Sequence, residues 1–131
     1  KKYGKKIKEK NIILKILFLK EVGMKIIKKN RTFKVGKDIK LNNVGDIYLK
    51  SDELITLKDK KKEFDITKKS WGYYATPSIN KRLNENGYLT AIISNKDTKN
   101  IFVVLVDKNK KKLFLKYIKK ENIKVLKWLY E

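Results

Sequence analysis

A ten-residue segment of this chain carries six candidate ligand-binding side chains besides Lys81. They are Tyr73, Tyr74, Thr76, Ser78, Asn80 and Arg82. Arg82 is one of two arginines in the chain, and it follows Ser78 by four positions, a spacing that puts both on one face of a helix. A guanidinium beside hydroxyl and amide groups is suited to holding a phosphate or a sugar-phosphate. We therefore expect an anionic-ligand site here.

The same segment predicts the start of a helix. Thr76 is a favoured N-cap type, and Pro77, the only proline, suits the first helical position because its missing N–H costs nothing there. The helix is expected over Pro77–Asn86, with Gly87 ending it in a left-handed conformation. Its free N–H groups and the positive end of its dipole would add to the attraction for an anion.

A purely architectural role explains the same residues. Trp71 and Tyr73 are large side chains with a polar tip, which commonly serve as buried anchors. Thr76 and Pro77 are equally the ordinary start of a helix. Asp65 could join the cluster from the preceding strand, although an exposed acid beside a turn is the simpler interpretation.

The composition excludes several kinds of chemistry. The chain has no cysteine and no histidine, so a thiol nucleophile, a thiolate zinc site and a Ser-His-Asp arrangement are impossible. Catalysis would need paired carboxylates, such as Glu63 and Asp65, or a lysine with a lowered pKa. We expect a binding protein without catalytic residues, metal ligands or a cofactor.

The net charge of +21 favours a second function, nucleic-acid binding through a lysine-rich surface. However, 33 of the 35 basic residues are lysine, with Arg31 and Arg82 the exceptions, whereas phosphate and base recognition favour the arginine fork. Lys, Ile and Asn have A/T-rich codons, so genome drift explains much of the charge. Both explanations stay open, because any strongly cationic surface attracts polyanions.

The first 23 residues are predicted to be a translated leader or else a disordered or amphipathic extension. Lys20-Glu21-Val22 lies one residue before Met24, and an AAGGAGGT ribosome-binding sequence read in frame encodes that tripeptide. Residues 24–131 then form a single domain, a size that suits one core. No run of 18 apolar residues is present, so no membrane span and a cytoplasmic location are expected. The oligomeric state is left open.

Hydrophobic periodicity predicts an α+β fold with a mainly antiparallel sheet. The predicted strands are Met24–Lys28, Asp46–Lys50, Glu53–Lys58, Glu63–Thr67, Tyr88–Ser94, Ile101–Val106 and Ile123–Tyr130. A second helix is expected after Asp107 or Asn109. The order is N-terminal β-hairpins followed by α-β-β-α-β, with the helices on one face of the sheet.

Several finer expectations follow from the same patterns. Lys34–Val44 is expected to be a loop that has room for one short strand. Ser51-Asp52 is expected to be a tight hairpin connection, and Asp59–Lys62 an exposed turn. The wholly apolar run Ile101–Val106 indicates a central strand. One contiguous core is predicted from the apolar stripes: Trp71, Ile79, Leu83, Val103, Leu105, Phe114, Ile118 and Trp128.

The chain also resembles a small bacterial family with no assigned activity. The matching segments are Ile27–Asn30, Gly45–Thr56, Phe64-Asp65, the Trp-Gly-Tyr-Tyr-Ala-Thr-Pro-Ser-Ile-Asn motif of Trp71–Asn80, Phe114–Ile118 and Trp128-Leu129. The similarity extends over residues 24–131. Genes of this family accompany those for surface-polysaccharide and nucleotide-sugar metabolism, so the resemblance implies an accessory role in making bacterial surface glycans. Residues 1–23 have no counterpart, and the lysine excess is a departure from the family.

Overall fold

The computed structural model describes residues 24–36, 38–75 and 77–130. The predicted leader, residues 1–23, lies outside the described residues, and so does Thr76. The described residues fall into two compact units, one with residues 24–36, 38–55 and 67–74, the other with residues 56–66, 75 and 77–130. The single domain expected over residues 24–131 stays a prediction.

The fold is α+β, as predicted, with mostly antiparallel strands and two short helices. The strands are β1 (Lys25–Val35), β2 (Ile39–Tyr48), β3 (Leu54–Asp59), β4 (Lys62–Lys69), β5 (Gly72–Ala75), β6 (Tyr88–Asn95), β7 (Ile101–Asp107) and β8 (Ile123–Leu129). Helix α1 covers Arg82–Glu85, and α2 covers Lys111–Lys120 after a 3₁₀ turn at Lys108–Lys110. The predicted order of elements is therefore confirmed.

The first unit contains a long antiparallel hairpin of β1 and β2. The loop predicted over Lys34–Val44 is wrong, because both strands run through it and are joined by a turn at Gly36, which has a φ of 62°. Polar residues such as Asn42 and Asn43 suggested a loop, yet they face Thr32 and Arg31 across the ladder. Cross-strand pairing thus overrides weak β propensity here.

The connections around β3 are partly as expected. Ser51 and Asp52 do form a turn, but the strands on either side belong to different sheets, β1-β2 and β3-β4-β5, so the predicted hairpin between them is wrong. A hydrogen bond from Asp52 N–H to the Lys68 carbonyl oxygen, 2.7 Å, directs the chain toward β4 instead. The turn predicted at Asp59–Lys62 is confirmed.

Helix α1 begins later than the sequence indicated. The prediction of a helix from Thr76 and Pro77 is wrong, because residues before Arg82 form turns and the helix has four residues. Ser78 organises these turns: its carbonyl oxygen accepts from Leu83 N–H (3.0 Å), and its Oγ from Arg82 N–H (3.3 Å). Ser and Asn favour such local bonds over helix continuation. Gly87 has a φ of 91°, the left-handed conformation expected of it.

The second unit is built on a sheet in the order β7-β6-β8, which both helices contact. The central strand is β6, and β7 lies at an edge, so the prediction that Ile101–Val106 is central is wrong. An apolar run does not specify where a strand lies in its sheet. On this edge strand even Val103, in the middle of the run, is 68% exposed.

The buried apolar residues differ from the predicted core. They are Leu83, Leu89, Ala91, Ile93 and Val106, all in the second unit. Of the residues predicted, Leu83 is buried (2% exposed), whereas Trp71, Ile79 and Val103 are exposed. Phe114 and Trp128 do pack together, edge to face, with ring centroids 5.7 Å apart. The prediction of a single core is therefore wrong for three of its eight members, while Leu105, Phe114, Ile118 and Trp128 are half-buried. No helix within the described ranges is long and apolar enough to cross a membrane.

Candidate functional site

The residues predicted as one anion site belong to two different units. Tyr73 and Tyr74 lie in β5 and in the first unit, where Lys68 Nζ lies 5.2 Å from the Tyr73 ring centroid and Trp71 meets Tyr74 edge to face. Both tyrosines are exposed. Ser78, Asn80 and Arg82 lie in the second unit, and the placement of Thr76 is outside the described residues.

Within the second unit, Arg82 is already paired with a carboxylate. Its guanidinium donates to Asp65 Oδ2 at 2.7 Å, and Thr56 Oγ1 donates to the other oxygen of Asp65 at 2.8 Å. The Asp65 side chain is 16% exposed, so this acid is not the exposed turn residue that its position suggested. Because Arg82 neutralises Asp65, little of its charge is available for a ligand. The pair ties α1 to β4.

A helix of four residues also lacks the aligned peptide dipoles that would hold an anion. Ser78 supplies its side chain and carbonyl oxygens to the turn, and Asn80 is exposed. This part of the predicted site is therefore explained by local architecture.

A second group of polar residues is organised around Lys62 at the start of β4. Its Nζ donates to Asp107 Oδ1 and, at 3.4 Å, to the Gly87 carbonyl oxygen, and it lies 5.6 Å from the centroid of the Tyr88 ring. The Gly87 oxygen also accepts from Lys108 N–H at 2.9 Å. Lys62 is thereby fixed against Gly87, 25 positions later in the chain, and against Asp107 at the end of β7, 45 positions later.

Asp107 is held in its ionised form by these contacts. The hydrogen bond from Lys62 lowers the pKa of the Asp107 carboxyl, and the bond from Asn109 N–H, 2.9 Å, lowers it further. The same N–H bond caps the 3₁₀ turn that leads into α2, so Asp107, one of the two caps predicted for the helix, caps this turn. The residue before α2 itself is Lys110, which makes no side-chain cap. A carboxylate with a lowered pKa is a poor general acid or base at neutral pH.

A cavity of about 410 Å³ opens beside this pair. Its lining residues are Asp59, Lys60, Lys61, Lys62, Asp107, Asn109 and Lys110. We call it the lysine cavity. Four lysines and two aspartates line it, a net charge of 4 − 2 = +2, and no lining side chain is apolar. Lys60 and Lys61 form no ion pair within the described part of the chain.

The lysine cavity was not predicted from the sequence, because residues 59–62 were assigned to an exposed turn and Asp107 and Asn109 were considered only as helix caps. Three consecutive lysines at 60–62 were the available signal, but they do not stand out in a chain with 33 lysines among 131 residues. Among residues 24–36, 38–75 and 77–130, no cluster of three Asp or Glu side chains is placed to hold a metal ion.

Comparison with known proteins yields no match. No protein-family model, no curated protein and no solved structure is similar to this chain.

Proposed function

We propose that this protein is a non-enzymatic binding module that holds a phosphate-bearing sugar in the lysine cavity. The observation that carries the proposal is a concave site lined by lysine, aspartate and asparagine residues, whose charges sum to +2. That charge matches a phosphate monoester, which carries close to two negative charges near neutral pH. The volume, about 410 Å³, lies within the range of small-molecule sites.

The parts of the site suit the two halves of such a ligand. Lys60 and Lys61, at the tip of the turn, present ammonium groups that bind phosphate as point charges. Asp59 and Asn109 provide oxygen and amide groups that can bind sugar hydroxyls. With no aromatic side chain in its lining, the cavity offers no ring on which a nucleobase would stack. A sugar phosphate fits it better than a nucleotide does.

The anchored pair of Lys62 and Asp107 gives the cavity a fixed wall. Because Asp107 is neutralised by Lys62, it does not repel an anion as an unpaired carboxylate would. The role in surface-glycan synthesis implied by the family resemblance is compatible with this ligand class and forms part of the proposal. The resemblance is the sole support for the pathway.

Calorimetric titration with a hexose 1-phosphate tests the proposal. The unphosphorylated hexose and inorganic phosphate are titrated alongside it. Lys60→Gln/Lys61→Gln removes two charges from the cavity, and Lys124→Gln/Lys127→Gln removes two from exposed positions of β8 as the matched control. We expect saturable 1:1 binding that the cavity variant weakens about tenfold or more and the control variant retains. Equal loss in the two variants, or no heat from the hexose phosphate, would refute it.

A further inference from the structure

The β1-β2 hairpin has one surface that the lysine cavity does not explain. Beyond an irregularity in pairing between Lys28 and Arg31, residues 31–35 pair with residues 43–39; we call this part the distal hairpin. Its five residue pairs extend roughly 16 Å. Apart from half-buried Ile39 and Asn43, every residue of the distal hairpin is exposed, so the described part of the chain covers little of either face.

The two faces of the distal hairpin differ in character. Side chains alternate along a strand, so directly paired residues share a face. One face carries Lys34 opposite Lys40 and Thr32 opposite Asn42. The other carries Arg31, Phe33, Val35, Ile39, Leu41 and Asn43. Cationic and hydrogen-bonding groups are thus gathered on the first, which we call the basic face.

Lys34 and Lys40 form an unfavourable pair in the isolated protein. Directly opposed residues of an antiparallel ladder have Cβ atoms roughly 5 Å apart, and like charges at that separation repel. No ion pair joins either lysine to a carboxylate among the described residues, Asp38 of the connecting turn included. By contrast, Lys29 near the base of the hairpin pairs with Asp46 at 2.6 Å.

We propose that the basic face of the distal hairpin binds the phosphate backbone of duplex DNA. A bound polyanion relieves the repulsion between Lys34 and Lys40 and releases counterions from the duplex. The major groove of B-form DNA is about 12 Å wide and admits a two-stranded ribbon. A two-stranded hairpin with both faces exposed has the shape for this groove.

The residue types of the basic face also indicate whether it would recognise a particular base sequence. Lysine binds phosphate as a point charge, and the face carries no arginine fork. Arg31 lies on the opposite face, with its guanidinium carbon 5.0 Å from the centroid of the Phe33 ring. Binding is therefore independent of base sequence. The site lies in the first unit and the lysine cavity in the second, so either proposal can fail without the other.

Fluorescence anisotropy with a labelled 20-base-pair DNA duplex, between 50 and 300 mM KCl, tests the proposal. Lys34→Gln/Lys40→Gln is compared with Lys124→Gln/Lys127→Gln, which removes the same charge from β8. Two lost phosphate contacts make the slope of log K against log salt less negative by about 1.8 and lower the affinity about tenfold or more at 0.1 M salt. The β8 pair should leave the slope unchanged, and Lys34→Arg/Lys40→Arg should retain binding.

Three results would overturn the inference. If the two glutamine pairs change the slope equally, the attraction comes from overall charge. If Lys34→Arg/Lys40→Arg binds as poorly as the glutamine pair, the cations at these positions do not make the contacts. Duplex RNA, whose major groove is narrow, and one single strand of the DNA duplex are measured as well. If either binds as tightly as duplex DNA, the hairpin does not use the major groove.

Discussion

Lys62 occupies the space that a side chain at residue 87 would need. A Cβ added to Gly87 would lie 2.9 Å from Lys62 Nζ, and the Gly87 backbone has a φ of 91° that favours glycine. The lysine donates to the Gly87 carbonyl oxygen at 3.4 Å and to Asp107. The residue that ends α1 therefore also makes room for the ammonium group that forms the wall of the lysine cavity.

Substitution of Gly87 by alanine should lower both stability and sugar-phosphate affinity. The left-handed backbone costs an L-residue at least about 1 kcal/mol in the free energy of unfolding, and the new methyl group displaces Lys62 from the cavity wall. Gly72→Ala is the control, because Gly72 has a φ of 147° and no atom within 4 Å of an added Cβ. Urea unfolding should show a loss of stability in both variants, whereas calorimetry should show a loss of affinity in Gly87→Ala alone. A normal affinity in Gly87→Ala would show that the position of Lys62 does not matter for ligand binding.

The Lys62–Asp107 pair should make stability depend on pH in acid. The pKa of Asp107 is below its ordinary value of 3.8, so the unfolded chain binds the proton more readily than the folded one. The stabilisation is therefore complete above about pH 4 and is lost as the pH falls through the lowered pKa. Asp107→Asn keeps an oxygen for Asn109 N–H but removes the charge.

Urea unfolding of the wild type and Asp107→Asn at pH 7 and at pH 2.5 measures this effect. The wild type should be the more stable at pH 7, with the difference between the two proteins shrinking at low pH. Their other carboxylates are the same and cancel in the comparison. A difference that stays constant with pH would mean that the ion pair contributes no net stability.

Two substitutions by alanine in the second unit should differ widely in their cost in unfolding free energy, because one side chain is buried and the other is exposed. Leu83→Ala should cost about 2–5 kcal/mol of unfolding free energy, because Leu83 is 2% exposed and anchors α1 on the sheet. Val103→Ala should stay within about 0.5 kcal/mol, because Val103 is 68% exposed on an edge strand. Chemical denaturation measures both, and comparable costs would contradict the position of β7 at the edge.

The charge repulsion in the distal hairpin can be measured without a ligand. Lys34→Glu places opposite charges across from each other and should stabilise the hairpin by about 0.2–1 kcal/mol at low salt. Thr32→Glu adds an acid opposite neutral Asn42 and is the control. Amide hydrogen exchange of β1 and β2 should slow more for Lys34→Glu than for the control, and the difference should fade in 1 M salt. Equal slowing would show that general charge reduction is responsible.

The local features of the fold, such as turns and the conformation of single residues, were predicted well from the sequence. The turn at Lys60-Lys61 and the left-handed Gly87 each depend on a few neighbouring residues, and both are confirmed. Sheet order was not predictable in the same way, because the apolar run of β7 fits a central strand as well as an edge. The prediction that the helix starts at Pro77 was wrong because Ser78 makes hydrogen bonds that form turns instead of continuing a helix.

The candidate site in the structure, the lysine cavity, differs from the segment that the sequence indicated, and the reason is again tertiary packing. The segment from Tyr73 to Arg82 is compact in sequence but is divided between two units, and Arg82 is neutralised by Asp65. The lysine cavity depends instead on contacts between a turn at residues 59–62 and residues 107–110, some 45 positions later. Such contacts are set by tertiary packing and leave no local pattern.

The most direct test of the lysine cavity is an NMR titration of the ¹⁵N-labelled protein with a hexose 1-phosphate. Ligand binding shifts the amide signals of the residues around it, so the experiment locates the site without any mutation. The account predicts saturable shifts concentrated at residues 59–62 and 107–110. Shifts concentrated at Ser78, Asn80 and Arg82, or spread evenly over lysines throughout the chain, would contradict it.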